Sequence, residues 1–90
     1  MKGENNKIMN NLEIKIVTPE GILYEGYSDM VIIPTISGEI GVMADHESLV
    51  TSLSKGQIKI FDDNEELVEN FDVNDGFVEI KDSNLLILAG

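Results

Sequence analysis

The chain has 90 residues, 42% of them hydrophobic, with 17 Asp and Glu against six Lys and no Arg, for a net charge of −11 at pH 7. One small domain is the ceiling, because a chain this short buries only about 60–65% of its unfolded surface and cannot divide its core in two. The acidity argues against binding phosphate backbones, and the absence of Cys removes disulfide frameworks, thiolate nucleophiles and thiolate metal sites together.

Setting aside Lys2, Lys7 and Glu4 leaves sixteen acids and four lysines on residues 11–90, a charge of −12, so the acidity belongs to the patterned part of the chain. Cationic protein surfaces are its natural partners. The longest apolar runs, residues 30–33 and 85–89, fall far short of the about 18–20 residues that span a bilayer. The opening MKGENNKIMN has neither the apolar core of a signal peptide nor the Arg of a transit peptide. It is read with Asn11 as a disordered tail over 1–11, ahead of a domain over 12–90, and Met9 is an alternative start.

The pattern begins at Leu12, where Leu12, Ile14 and Ile16 alternate with Glu13 and Lys15, the period of a half-buried strand. Thr18-Pro19-Glu20-Gly21 then sets Pro second and Gly fourth in a β-turn. A second strand is expected over 22–27, and a third over 29–33, whose Met-Val-Ile-Ile run suggests burial on both faces and which Pro34 ends or marks as an edge. Two glycines three apart place a turn over 37–41, with each glycine supplying positive φ or close backbone approach. Extended structure resumes at Val42-Met43, residues 44–48 form an irregular crossing, and strands follow over 49–53 and 57–61, the latter with Ile58 and Ile60 on one face.

Asp62-Asp63-Asn64-Glu65-Glu66 reads as a polar hairpin tip. Leu67 and Phe71 stand four apart, as on a helix, but seven residues between turn signals are too few for an isolated helix, and 67–73 is read as strand. Turns at 74–76 and 82–84 bracket the last strands, over 77–80 and 85–88. Nine or so short strands argue for an all-β sandwich or barrel.

Little in the chain suggests catalysis. Asp45-His46-Glu47-Ser48 holds every member of a hydrolase triad, yet consecutive residues of extended chain point to opposite faces and do not converge. One His without Cys argues against zinc. The acidic run over 62–66 suits calcium by its oxygens but lacks the glycine and spacing of an EF-hand loop, and a solvated tip is the favoured reading. Nothing resembles a GxxxxGK phosphate loop. No catalytic residue, cofactor, metal or small-molecule substrate is expected.

The segment Gly38-Glu39-Ile40-Gly41-Val42-Met43-Ala44-Asp45-His46-Glu47-Ser48-Leu49 resembles the GE-x-G-x-x-x-x-H-x-x-L signature of the epsilon subunits of F-type ATP synthases. LEIKIVTPE over 12–20 is similar to that family's opening strand and turn, Lys55-Gly56 to its KPG turn, and Gly76-Phe77-Val78-Glu79-Ile80 with residues 85–89 to its closing strands. The order and spacing of these pieces over 12–89 carry the resemblance.

The resemblance implies a flattened β-sandwich of two sheets and about ten short strands. It also implies a non-catalytic rotor role in the central stalk, with one sheet against the gamma subunit and a loop-bearing end against the membrane ring of c subunits, without membrane insertion. The complex would place the chain on the cytoplasmic face of a bacterial plasma membrane or, alternatively, on an organellar inner membrane. Ser37, Gly38, Glu39, Ile40, Gly41, Asp45 and His46 match positions that the resemblance assigns to ring and stalk contacts. Family members commonly continue into an inhibitory helical hairpin, and since this sequence stops at Gly90 the functions of that hairpin are expected to be absent. Asn74-Asp75-Gly76 stands where Ser-Gly-Gly is usual, which asks Asp75 to accept a glycine-like backbone, and Ala44-Asp45 stands for Pro-Gly. The competing reading is a free acidic β-sandwich that binds a basic peptide or small ligand through its loops.

Overall fold

The computed structural model describes residues 12–90, and the expected tail over 1–11 lies outside the described residues. Nine strands follow one another without a helix among the described residues: β1 (Leu12–Thr18), β2 (Gly21–Ser28), β3 (Met30–Thr35), β4 (Gly38–Val42), β5 (Leu49–Leu53), β6 (Gly56–Phe61), β7 (Leu67–Val73), β8 (Gly76–Lys81) and β9 (Asn84–Ala89). They form one hydrogen-bonded path in the order β2-β1-β9-β8-β5-β3-β6-β7, with β4 added to β3.

The path folds back on itself between β5 and β3. These two strands share one register pair, Thr35 with Leu53, flanked by the Ile36 N–H donating to the Ser52 carbonyl at 3.2 Å and the Ser54 N–H to the Pro34 carbonyl at 3.0 Å. On one side of this corner lie five strands, β2-β1-β9-β8-β5, and on the other four, β4-β3-β6-β7. The inward residues of both layers make one core, with Leu12, Ile14, Ile16, Leu85, Ile87 and Val78 from the first meeting Val31, Ile33, Val42, Ile58 and Ile60 from the second. It is an aliphatic core, as expected where β-branched residues fill pleated surfaces.

The two ends of the path also approach each other. Tyr24 on β2 and Phe71 on β7 place their ring centroids 5.8 Å apart in a tilted contact. Ser28, at the end of β2, accepts from the Met30 N–H at 3.2 Å and lies 2.5 Å from the Phe61 carbonyl, tying β2 to the far end of β6. The sheet is therefore curled nearly closed, and its edge strands are drawn together.

Several sequence expectations take a different local form. Residues 37–41 are not one turn. The turn is Ile36-Ser37, and Gly38 already begins β4, which pairs antiparallel with β3 from Thr35↔Gly38 to Val31↔Val42. Gly38 does take positive φ, +109°, whereas Gly41 does not, and a Cβ there would meet only the Met30 sulfur at 3.9 Å. Pro34 neither ends β3 nor sits on an edge. It is buried inside the strand at the place where β3 leaves β6 and meets β5, so its missing donor falls in a gap between ladders. Burial of the run over 30–33 is one-sided, with Val31 and Ile33 buried and Met30 and Ile32 only half-buried. Asp75 avoids the left-handed region, because Gly76 supplies the positive φ, +138°. The glycine-like demand falls on Asp45 instead, at φ +71°, in the place of the expected Pro-Gly glycine.

Candidate functional site

The residues singled out from sequence divide between the two ends of the sandwich. Thr35 and Gly38 pair beside the Ile36-Ser37 turn, and the register from Thr35 through Leu53 and Gly76 to Ala89 shows that this turn shares an end with the Asn74-Asp75 connection and Gly90. The turn is held from within. Thr35 Oγ1 donates to the Gly38 carbonyl at 2.6 Å and accepts from the Ser37 N–H at 3.2 Å. Ile36, at the tip, is 70% exposed. Ser37 and Glu39 are exposed beside it, with Glu39 on β4 opposite Pro34, in a strand and not on the turn itself. Ile40 points inward and packs on the core, and Gly41 is exposed.

Asp45 and His46 lie at the other end, beyond the full length of β4. The His46 N–H donates to the Met43 carbonyl at 3.2 Å and closes a turn over 43–46. The Asp45 N–H donates to the Ser83 hydroxyl at 3.1 Å, anchoring the crossing to the β8–β9 tip. His46 Nδ1 lies 2.8 Å from the Glu47 carbonyl, so Nδ1 carries the proton it donates there. The imidazole is thus held by its own loop, half-buried, with Asp45, Glu47 and Ser48 all exposed around it. One extended segment, β4 beyond Glu39 and the turn after it, separates Glu39 from His46.

Sequence reasoning missed a third feature, on the outer face of the five-stranded layer. Register pairs Ile22 with Val17, Val17 with Leu88, and Leu88 with Phe77, so these four side chains form a row across β2, β1, β9 and β8. Ile22, Leu88 and Phe77 are each about half exposed. Phe77, Leu88, Leu86 and Val50 line a shallow depression of about 280 Å³. Val50, on β5, is 69% exposed and sits opposite Glu79. The available signal was the run Leu85-Leu86-Ile87-Leu88, which breaks the polar alternation that a strand with one wet face should show.

The sequence profile of the ATP synthase delta/epsilon chain β-sandwich domain matches residues 11–90. The chain belongs to this family. It is similar to the ATP synthase epsilon chain of Alkalihalophilus pseudofirmus, with 37% identity over 90% of this chain and 59% of that one. It is similar also to that of Ligilactobacillus salivarius, with 42% identity over 87% of this chain and 55% of that one. The chain thus spans somewhat more than half the length of these relatives. Among solved structures it resembles a chain of the Euglena gracilis mitochondrial ATP synthase, described as OSCP/F1/c-ring, with a TM-score of 0.79, 20% identity, and coverage of 88% of this chain and 50% of that one. It resembles too a chain of the Tetrahymena thermophila mitochondrial ATP synthase central stalk and c-ring, with a TM-score of 0.68, 17% identity, and coverage of 87% and 62%. At those identities the structural likeness is one of fold. The family's β-sandwich agrees with the curled two-layer sheet, in nine strands where about ten were expected.

Proposed function

We propose that this chain is a non-catalytic central-stalk part of an F-type ATP synthase, joining the gamma subunit to the ring of c subunits so that ion-driven ring rotation reaches the catalytic sites on other subunits. In that role it is a peripheral component on the cytoplasmic face of a bacterial membrane. The observation that carries the reading is the row Ile22–Val17–Leu88–Phe77. A soluble sheet with its outer face in water gains nothing from apolar side chains there, whereas a sheet docked on a partner excludes water with them. That face is assigned to gamma. The Ile36-Ser37 tip, with Gly38, Glu39 and Gly41 on β4 and with Ile40 bracing it from the core side, is assigned to the ring, where Glu39 can accept charge-assisted hydrogen bonds from cationic loops. Asp45 and His46, at the opposite end, are assigned to a stalk contact.

The test is a calorimetric titration of the domain with the gamma subunit of the same organism. One-to-one binding is expected, and Leu88→Ser should weaken it while circular dichroism and melting show an intact fold. A folded domain that gives no heat with gamma would overturn the reading.

A further inference from the structure

One carboxylate stands among the apolar side chains beside the row assigned to gamma. The shallow depression of about 280 Å³ that holds Phe77 and Leu88 is completed by Val50, Leu86 and Glu79. Glu79 is exposed, yet its neighbours on the sheet are apolar. Val50 faces it from β5, Leu86 faces it from β9, and Phe77 precedes it on the same face of β8. The lysines of that face stand elsewhere in the register, Lys15 opposite Glu25 and Leu86, and Lys81 opposite Asn84. At about 280 Å³ and open to solvent, the depression falls below the range of about 300–1,000 Å³ in which small molecules are enclosed, and it suits side chains of a docked protein.

A surface that covers Phe77, Leu88, Leu86 and Val50 together also takes the Glu79 carboxylate out of water, because Glu79 lies between Leu86 and Val50 in the register. A carboxylate buried against apolar groups alone is strongly destabilising, so such a surface has to supply a cation and hydrogen-bond donors at that point. We propose that Glu79 is the selective residue of the gamma-facing sheet: the partner presents an apolar side chain to the depression and, beside it, an Arg or Lys that pairs with the Glu79 carboxylate. This pairing, which rests on the assignment of the face to gamma, adds the chemistry that the gamma surface must carry. The apolar row excludes water without fixing a lateral position. One desolvated ion pair fixes it, and rejects a surface with a neutral or acidic group there. Arg is the better fit, because its planar guanidinium gives two parallel hydrogen bonds to one carboxylate and is weakly hydrated.

The test is a calorimetric titration of the full chain with the gamma subunit of the same organism, with Glu79→Gln, Glu79→Leu and Glu25→Gln compared to the unaltered chain. Glu79→Gln keeps side-chain size and should weaken binding by about thirty-fold or more. Glu79→Leu enlarges the apolar surface and should weaken it at least as much, since the partner's cation is left buried and unpaired. Glu25, in the same row but opposite Lys15, controls for overall acidity, and Glu25→Gln should change affinity by less than about two-fold. Melting of each free variant should match that of the unaltered chain, as for exposed positions. If the unaltered chain binds gamma and Glu79→Leu binds equally or more tightly, the interface is indifferent to the carboxylate, and the pairing is overturned while gamma stands as the partner. A loss from Glu25→Gln as large as that from Glu79→Gln would reduce the effect to overall charge and overturn it as well. No heat from the folded, unaltered chain would overturn the assignment of the face to gamma, and the pairing with it.

Discussion

The two outer faces of this sandwich are built by the same alternation, and one row sets them apart. On the five-stranded layer one row of outward positions is apolar throughout, Ile22, Val17, Leu88 and Phe77, while the next holds Glu25, Lys15, Leu86 and Glu79. On the four-stranded layer the corresponding rows read Gly41, Ile32, Lys59 and Asn70, then Gln57 and Asp72, and the Gln57 amide donates to the Asp72 carboxylate at 2.9 Å. Folding needs only the inward residues of either layer to be apolar. The outward positions are free to follow other demands, and the row from Ile22 to Phe77 places apolar side chains where the fold does not require them.

The largest effect expected from a single substitution belongs to neither face. Gly76 combines φ +138° with a position where a Cβ would fall 1.9 Å from the Leu88 carbonyl oxygen. Gly76→Ala should cost about 3 kcal/mol or more in urea unfolding, because strain and a backbone clash add. Next comes a pair that isolates the comparison on one strand. Ile87→Ala, at a fully buried site, should cost about 2–5 kcal/mol in the same measurement, while Leu88→Ala, one residue on and half exposed, should cost under about 1 kcal/mol. Similar losses from both would mean that the row is structural and not a docking surface.

Binding should reverse that order. Phe77→Ser is expected to reduce affinity for gamma by about thirty-fold, near 2 kcal/mol, as for a central aromatic anchor. Asn70→Ala on the opposite face should change it by less than two-fold, roughly the precision of calorimetry, for a residue outside the interface. An effect of Asn70→Ala as large as that of Phe77→Ser would exchange the faces. The smallest effect is reserved for the turn end. Glu39→Ala should lower the stability of the complex with the c ring by about 0.2–1 kcal/mol, seen as faster dissociation at low salt, since Glu39 is an exposed charge and such pairs are individually weak.

Much of the fold was legible where burial is local. Leu12, Ile14 and Ile16 alternate with charges and are all fully buried. The reading of residues 67–73 as strand, against a helical spacing, follows from length alone and agrees with β7. What escaped is what long-range pairing decides. Residues 37–41 read as a turn because glycines at both ends of Gly38-Glu39-Ile40-Gly41 weaken any strand pattern, and 38–41 join Val42 in β4 only because β3 pairs with them and Ile40 and Val42 find the core. Asp45 accepts a left-handed backbone in the place of a glycine because the Ser83 hydroxyl and the Met43 carbonyl hold its turn. The motif that joins Glu39 to His46 in sequence is silent about space, since extended chain between them carries the two to opposite ends. The apolar row is spread over four strands, one residue from each, and no window of sequence contains it.

The parallel pairing of β1 with β9 has a consequence for how the protein comes into being. The last strand lies between the first and the eighth, so β1 waits through the synthesis of about seventy residues before its central neighbour emerges from the ribosome, a delay of some seconds at about 5–20 residues per second. Until then β1 and β8 are both open edges. A sheet completed by its final strand closes late and through distant contacts, the condition under which folding is slow and stray strand pairing is most dangerous. The abundance of Asp and Glu, which looks like an attribute of the finished surface, also keeps the unfinished chains apart.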